Sequence, residues 1–494
     1  MHMYALVDRL TSLPDELIIR ILSLLPTKDA GVTSVLSRKL RRLFPWITSL
    51  NFDVSPISLC LKQPYAIESY PSFINFVDTV LQRYKSKYLT RFKLHVCKVV
   101  LFCCKNGYNQ GCLPDLKFAH LNAWITYPLT LCGGLRELDL CILVREPGDA
   151  QLPPAIFTCE TLEVLKLNVN LGLDQVSTMP SYRLPNLKLV ILSVSLISND
   201  GILPRLIASC PLLEDLTFDC FTYHVYNIVI TSTSLRRLYV RMHRLGEIES
   251  DGRFFVQIHT PNLEYFKYRD DLAMCYSIPI MHSLVEASVA FYGCLENDNE
   301  ITVEFAFEQM LGFIRSLSYV QHLSLFDTIM QLMKDIASED ETVIKDQLPV
   351  FPNLKHLVLG CGSCNHFWHN LLLPFLNSSP ALETLVFAEG LIDNYDDKYC
   401  EFGRKQLELE REFFRTAREI PLCCRYHLKR IVIKRYYGEE RERRLIQFFL
   451  RHALVLEELV IYPVSEVSFS DRMLVQNTLN NLPKASVTCL IQVL

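Results

Sequence analysis

The densest group of reactive side chains in these 494 residues is "CGSCNHFWH", where Cys361, Cys364, His366 and His369 crowd two thiols and two imidazoles together. Thiolate sulfur and imidazole nitrogen are the donors that a tetrahedral zinc ion takes, so the residue types are those of a metal site. The spacing is not. A structural zinc site usually joins two ligand pairs across a longer loop, and no second pair follows here. A thiol-rich loop is the better reading, with no metal or other cofactor expected.

Other chemistry is equally hard to place. The chain has no G-x-x-x-x-G-K-[ST], G-x-G-x-x-G, H-E-x-x-H or G-x-S-x-G, and its 13 histidines are scattered, mostly in or beside apolar repeat positions. The 18 cysteines would suggest disulfides in a secreted protein, but "MHMYALVDRL" meets Asp8 and Arg9 too early to be a signal peptide. Cys141, Cys210 and Cys220 sit beside apolar positions and read as small buried hydrophobes. The longest apolar stretch, "LKLVILSVSLIS" (187–198), contains Lys188 and three serines and falls short of the ~18 residues of a membrane span. A net charge of −4 gives no general attraction to nucleic acid, and the basic "SRKLRRL" (37–43) reads as a solvated helix face. The expectation is a cytoplasmic or nuclear protein without enzymatic activity, bound to neither nucleic acid nor membrane.

What the sequence does specify is a scaffold. A pattern L-x-x-L-x-L, with other apolar residues allowed, occurs as "LRELDL" (135–140), "LEVLKL" (162–167), "LKLVIL" (187–192) and "LEDLTF" (213–218). It returns as "LRRLYV" (235–240), "LEYFKY" (263–268), "LVEASV" (284–289) and "VQHLSL" (320–325), then "LKHLVL" (354–359), "LETLVF" (382–387), "LKRIVI" (428–433) and "LEELVI" (456–461). "LTRFKL" (89–94) is a candidate earlier copy. In each copy the third and sixth positions are read as following strand alternation, and the first as anchoring the incoming turn. Between copies, "NDGILPRLIASCP" (199–211) puts Ile202, Leu203, Leu206 and Ile207 on one helical face. A strand and a helix every ~26 residues make a leucine-rich repeat, which stacks into a curved solenoid with a parallel sheet along its concave side. Leu138, Leu165, Leu216 and Leu385 are expected in its core. The spacing stretches where charged insertions enter, at "ENDNE" (296–300), "KDIASEDETVIKDQ" (334–347) and residues 393–420, as solvated decoration or binding loops.

Ahead of the repeats stands "RLTSLPDELIIRILSLLPTKDAGVTSVLSRKLRRLF" (9–44). Pro14 suits a first helical turn and Pro26 ends the helix, whose Leu17, Ile18, Ile21, Leu22, Leu24 and Leu25 cover more than one face. A second helix carries Val32, Val35, Leu36, Leu40, Leu43 and Phe44. So short a segment cannot bury this much apolar surface alone. Either the rest of the chain covers it, or a partner does.

Residues 8–53 resemble an F-box. Leu13–Pro14, Ile21–Leu22, Leu25–Pro26 and "TSVLSRKLRRLF" fall where that family places them. The family usually reads K-R-W-R-x-L-W, and here Leu40 and Phe44 stand for the two aromatics. The tail "CCRYHLKRIVIKRYYGEERERRLIQFFLRHALVLEELVIYP" (423–463) resembles the FBD domain of plant F-box proteins, with Leu428–Lys429, Gly438, Glu442, Leu450 and Leu456–Glu457 in matching places. The expected organisation is α/β: an F-box over 8–53, a connecting helical segment over 54–88, leucine-rich repeats over 89–414 and an FBD cap over 415–490. The resemblance implies a substrate receptor of a Skp1–cullin–F-box ubiquitin ligase, doing no chemistry itself. Leu13, Pro14, Ile21, Leu22, Leu25, Pro26, Val35, Leu36 and Leu40 would face a Skp1-like adaptor, and through it cullin. The repeats would hold an unidentified target protein. Two rivals are an interaction scaffold that recruits no ligase and a small-molecule receptor. For the receptor, the cations Arg136, Lys188 and Arg236 come from different turns without a common focus.

Overall fold

The computed structural model describes residues 10–54, 70–96, 116–131, 134–143, 150–194 (without 174, 175 and 177), 201–222, 227–244, 255–271, 275–292, 303–327, 329, 347–360, 368–390, 420–464 and 469–494. Two compact units emerge, Met1–Leu235 with Arg241–Asp251, and Arg236–Val240 with Gly252–Leu494.

The first unit begins with α1 (Asp15–Leu24), α2 (Thr27–Thr33) and α3 (Arg38–Leu43), followed by strand β1 (Ser49–Asp53). Helix α4 (Tyr70–Arg83) leads to β2 (Arg91–His95), and α5 (Phe118–Leu131) to β3 (Glu137–Ile142), β4 (Val164–Val169) and β5 (Leu189–Val194). Helix α6 (Ile202–Ala208), β6 (Asp215–Thr222) and β7 (Asn227–Thr231) follow. Strands β1 to β6 lie side by side in chain order, every neighbouring pair parallel. The register is constant: Phe92 stands beside Leu138, Leu138 beside Leu165, Leu165 beside Val190 and Val190 beside Leu216. One apolar rung per turn is what a stack of such repeats must produce. The helical face predicted on α6 is buried through Ile202, Leu203, Leu206 and Ile207.

After β8 (Arg237–Arg244), the second unit carries β9 (Phe255–His259), β10 (Tyr265–Asp271), β11 (Cys275–Ser277) and β12 (Glu286–Tyr292). Helix α7 (Val303–Ser316) precedes β13 (His322–Asp327) and β14 (His356–Gly360), and α8 (Trp368–Ser378) precedes β15 (Thr384–Phe387). Then come α9 (Leu422–Tyr426), β16 (Arg430–Tyr436), α10 (Glu440–His452), β17 (Glu458–Pro463), α11 (Phe469–Asn480) and β18 (Leu490–Val493). Strands β10, β12 and β13 to β18 form a second parallel run in chain order. The FBD-like tail is therefore the end of the repeat stack: Leu385 pairs with Ile431, and Ile431 with Leu459. It also adds a strand, β18, that no copy of the repeat pattern announced.

Burial corrects one detail of the repeat reading. In all twelve copies the first, fourth and sixth positions are buried, as in Leu135, Leu138 and Leu140 or Leu382, Leu385 and Phe387. The third position, predicted to be inside, is not buried in any of them; Glu137, Arg237, His322 and Arg430 stand there. Alternation with period two counts back from the sixth position to the fourth, not the third. The four leucines expected in the core are all there.

Within the tail, Glu442 shows why the FBD pattern pairs it with Gly438. Its carboxylate turns back to accept the backbone N–H groups of Tyr437 and Glu439 at 3.1 and 2.9 Å, closing a capping box at the start of α10. The chain reaches that turn through Gly438 at φ +82°, where a Cβ would be strained. Burial pushes the Glu442 carboxyl up to about 7 although those N–H groups pull it down.

In the first unit, burial likewise raises the Asp219 carboxyl on β6 to about 7, against the pull of Arg241. The folded state thus holds this proton to higher pH than the unfolded chain. The stability it contributes is complete at acid pH and is lost as pH rises through about 7. Asp219→Asn is expected to raise stability at pH 8 by on the order of 1–3 kcal/mol, with a smaller gain at pH 5. Thermal unfolding at the two pH values checks this, and an equal shift at both would refute the titration.

Candidate partner-binding surface

The apolar N-terminal segment has two faces with different fates. Ile18, Leu22, Ala30, Leu40 and Leu43 are buried; α1 and α2 close on the first strand, and α3 packs against α1. There the helices also cap the open edge of the sheet. Ser23 Oγ on α1 accepts the Thr48 N–H at 2.9 Å, and Thr27 Oγ1 on α2 accepts the Asn51 N–H at 2.7 Å. Asn51 alternates with Leu50 and Phe52, which face β2, so its N–H points off the sheet, where an edge strand needs a partner. Tyr84 Oη, just beyond α4, donates to the Ile47 carbonyl at 2.8 Å and fixes the turn into β1.

The basic stretch is a solvated helix face, with Arg38, Arg41 and Arg42 exposed and Lys39 half-buried. Lys39 Nζ donates to the Leu13 and Thr11 carbonyls at 2.7 and 3.0 Å and pairs with Asp15 at 3.2 Å, and Arg42 meets Asp15 at 3.0 Å. Two cations of α3 therefore hold down the start of α1.

The other face is open. Leu17, Ile21 and Leu24 follow one another at i, i+4 and i+7 on α1, all exposed, with Leu24 at 71 %. Val32 ends the exposed part of α2, and in the turn after it Val35 is 68 % and Leu36 77 % exposed. Of the nine residues predicted to face a partner, Pro14, Ile21, Pro26, Val35 and Leu36 are exposed, and Leu13 and Leu25 half-buried. Leu22 and Leu40 are each only 2 % exposed and are core residues in this fold. Leu17, Leu24 and Val32, outside those nine, are exposed as well.

The position of Leu40 changes the meaning of the missing aromatic. The substitution lies inside the helical segment, not on its open face, and Phe44 is half-buried with its ring 3.8 Å from where a Cβ on Gly31 would lie. Leu40→Trp is therefore expected to overpack the core and cost about 1–3 kcal/mol, measured by chemical denaturation. A stabilised variant would show that the site has room for the ring.

Elsewhere the polar groups on the strands tie one another down. On the first unit His95 Nε2 and Asp139 Oδ1 are 2.8 Å apart, Lys166 meets Glu137 at 3.3 Å and Lys93 meets Asp53 at 3.9 Å. Burial alone would raise the Asp139 carboxyl. The His95 hydrogen bond and the charges of His95, Lys166 and Lys93 outweigh it and hold the group below its ordinary value. The three cations considered for an anionic ligand are also engaged: Arg136 and Lys188 share Glu163 at 3.3 and 3.6 Å, and Arg236 pairs with Glu264. Among the described residues no three His, Cys, Asp or Glu side chains gather as metal ligands, and no helix is long and apolar enough to cross a membrane. Cys361, Cys364 and His366 lie outside the described residues, as do most of the charged insertions. Cys210, buried as expected, is pushed up to about 11 by that burial and stays a thiol.

Three domain families match the chain. The F-box domain covers residues 10–49, "FBD-associated F-box protein At5g56370, LRR repeats" covers 121–304 and FBD covers 417–461. The chain is 30% identical over 506 residues to F-box/LRR-repeat protein At4g14096 of Arabidopsis thaliana, an alignment taking in 99% of this chain and 95% of the relative. It is 28% identical over 466 residues to the putative F-box/FBD/LRR-repeat protein At3g59240 of the same plant, covering 93% and 84% of the two. F-box/LRR-repeat protein 13, also of Arabidopsis thaliana, is 25% identical over 493 residues, covering 99% and 96%.

Proposed function

This chain belongs to the F-box/LRR-repeat protein family, and from that premise we propose that it is the substrate-recognition subunit of a Skp1–cullin–F-box ubiquitin ligase. The observation that carries the proposal is the division of labour between two faces of α1, α2 and the turn that follows them. One apolar face is used up in capping β1, and a second, with Leu17, Ile21, Leu24, Val35 and Leu36, has no such use within the described fold. Apolar side chains of this number on one short segment are the composition of a protein-binding surface. A Skp1-like adaptor covers them in this reading and brings cullin with it.

The repeat strands then hold the target. Their outward positions offer mixed charge and histidine, as at Arg237, Glu286, His322 and Arg430, a surface suited to a folded protein or peptide, and recognition is spread over many turns. The receptor carries no catalytic group in this scheme: it raises the effective concentration of target lysines near a ubiquitin-charged enzyme held elsewhere in the complex. The F-box over 8–53 does the recruiting, repeats over 89–414 the recognition, and the FBD segment over 415–490 closes the stack. Cytoplasm and nucleus are the compartments in which this role is exercised.

The test is direct. The purified full-length chain is mixed with a Skp1-like adaptor and the complex is isolated by size exclusion, then supplied with cullin to ask whether all three co-elute. A chain that binds no Skp1-like adaptor at micromolar concentration would leave the interaction scaffold as the surviving reading.

A further inference from the structure

Strand β18 is the last of its sheet, so among the described residues one side of its backbone has no neighbouring strand. Leu490 N donates to the carbonyl of Glu457, just before β17, at 2.8 Å, and Leu494 N to that of Ile461 in β17 at 2.9 Å. The intervening Ile491 and Val493 therefore turn their backbone groups outward. A side chain meets them there. Gln476 of α11 donates from Nε2 to the Ile491 carbonyl at 2.6 Å, and its Oε1 accepts the Val493 N–H at 2.8 Å. One carboxamide thus reproduces the two bonds that a residue of a parallel neighbouring strand would make, an acceptor on one side and a donor on the other. Lys484 Nζ reaches the Cys489 carbonyl, the next outward group back along the chain, at 3.4 Å.

We propose that Gln476, assisted by Lys484, is a clasp that keeps β18 from pairing with β18 of a second copy of this chain. The segment itself invites such pairing. "CLIQVL" (489–494) has β-branched and apolar residues, no charge and no proline, which are the features that let an exposed edge recruit another strand. Its Leu490 and Leu494 are both exposed. Natural edges are protected by a charge, proline or bulge within the strand or by an element laid over them, and here the protection comes from a glutamine on the preceding helix. Two copies related by a two-fold axis would pair their β18 strands antiparallel, each supplying the ladder partners that Gln476 now replaces. The matched FBD family ends at residue 461, before either element. The clasp stands independently of any ligase role.

The experiment uses the full-length chain with Gln476→Leu, which keeps side-chain bulk and removes both bonds. Multi-angle light scattering should show the mass double, or rise further, at concentrations where the parent is monomeric. Hydrogen exchange of the Val493 amide, measured in the monomeric fraction, should be on the order of tenfold faster. Adding Leu490→Lys to Gln476→Leu places a charge on the edge strand and should restore the monomer. A monomeric Gln476→Leu chain overturns the proposal. So does an oligomer that Leu490→Lys leaves intact, because that result would indicate a collapsed cap, not strand pairing.

Discussion

Leu385→Ala is expected to destabilise the second unit by ~2–5 kcal/mol, through lost burial and the cavity left behind. Leu385 is fully buried at the fourth position of its copy, with Leu357 on one side and Ile431 on the other in the same register. Few sites in the stack have less freedom to collapse, since each rung is fixed by hydrogen bonds to two neighbouring strands. The control is Thr384→Ala on the same strand. Thr384 is half-buried on the opposite face, so its truncation should stay within about 0.5 kcal/mol of the parent. Denaturant unfolding followed by circular dichroism reports both. If the threonine variant were the more damaging of the two, the faces of the sheet would have been assigned the wrong way round.

Such a contrast is legible in the amino-acid order because the repeat writes its core into one period. Twelve copies keep leucine or another apolar residue at the same three places, and stacking turns that period into rungs. Features that depend on which face meets what are harder to read. The apolar residues of α1 cover more than one face, so nothing local distinguishes Leu22, which packs inward, from Ile21 beside it, which does not. That distinction is made by β1, whose edge needs Thr27 and so fixes the rotation of the helices above it. Strand β18 is hidden in the sequence because "CLIQVL" lacks the leading leucines of the repeat. Gln476 lies fifteen residues before the carbonyl it binds, at a distance set by tertiary packing alone. By contrast, the Gly438 and Glu442 pair is recognisable from spacing, since a capping box is a local device with a fixed three-residue offset from Glu439.

Replacing Leu24 and Leu36 together by aspartate is expected to abolish adaptor binding while leaving the fold untouched. Both side chains are among the most exposed apolar groups of the helical segment, so in the free protein the exchange puts carboxylates into water at almost no cost. Against an apolar partner the same carboxylates would be stripped of solvent without a counter-charge, which is expensive. Central apolar anchors contribute ~1–3 kcal/mol each, so losing two should weaken the complex by about 10²–10⁴-fold. Leu22→Ala provides the opposite signature. Leu22 is buried against the strand side, so its truncation should lower the stability of the N-terminal cap by ~2–5 kcal/mol. Any adaptor still bound by that variant would be bound through an intact outer face. Isothermal titration with a Skp1-like adaptor and thermal unfolding, run on both variants, separate the two faces. Should the aspartate pair bind as tightly as the parent while Leu22→Ala alone loses the adaptor, the partner reads the inner face, and the helices must come off β1 to meet it.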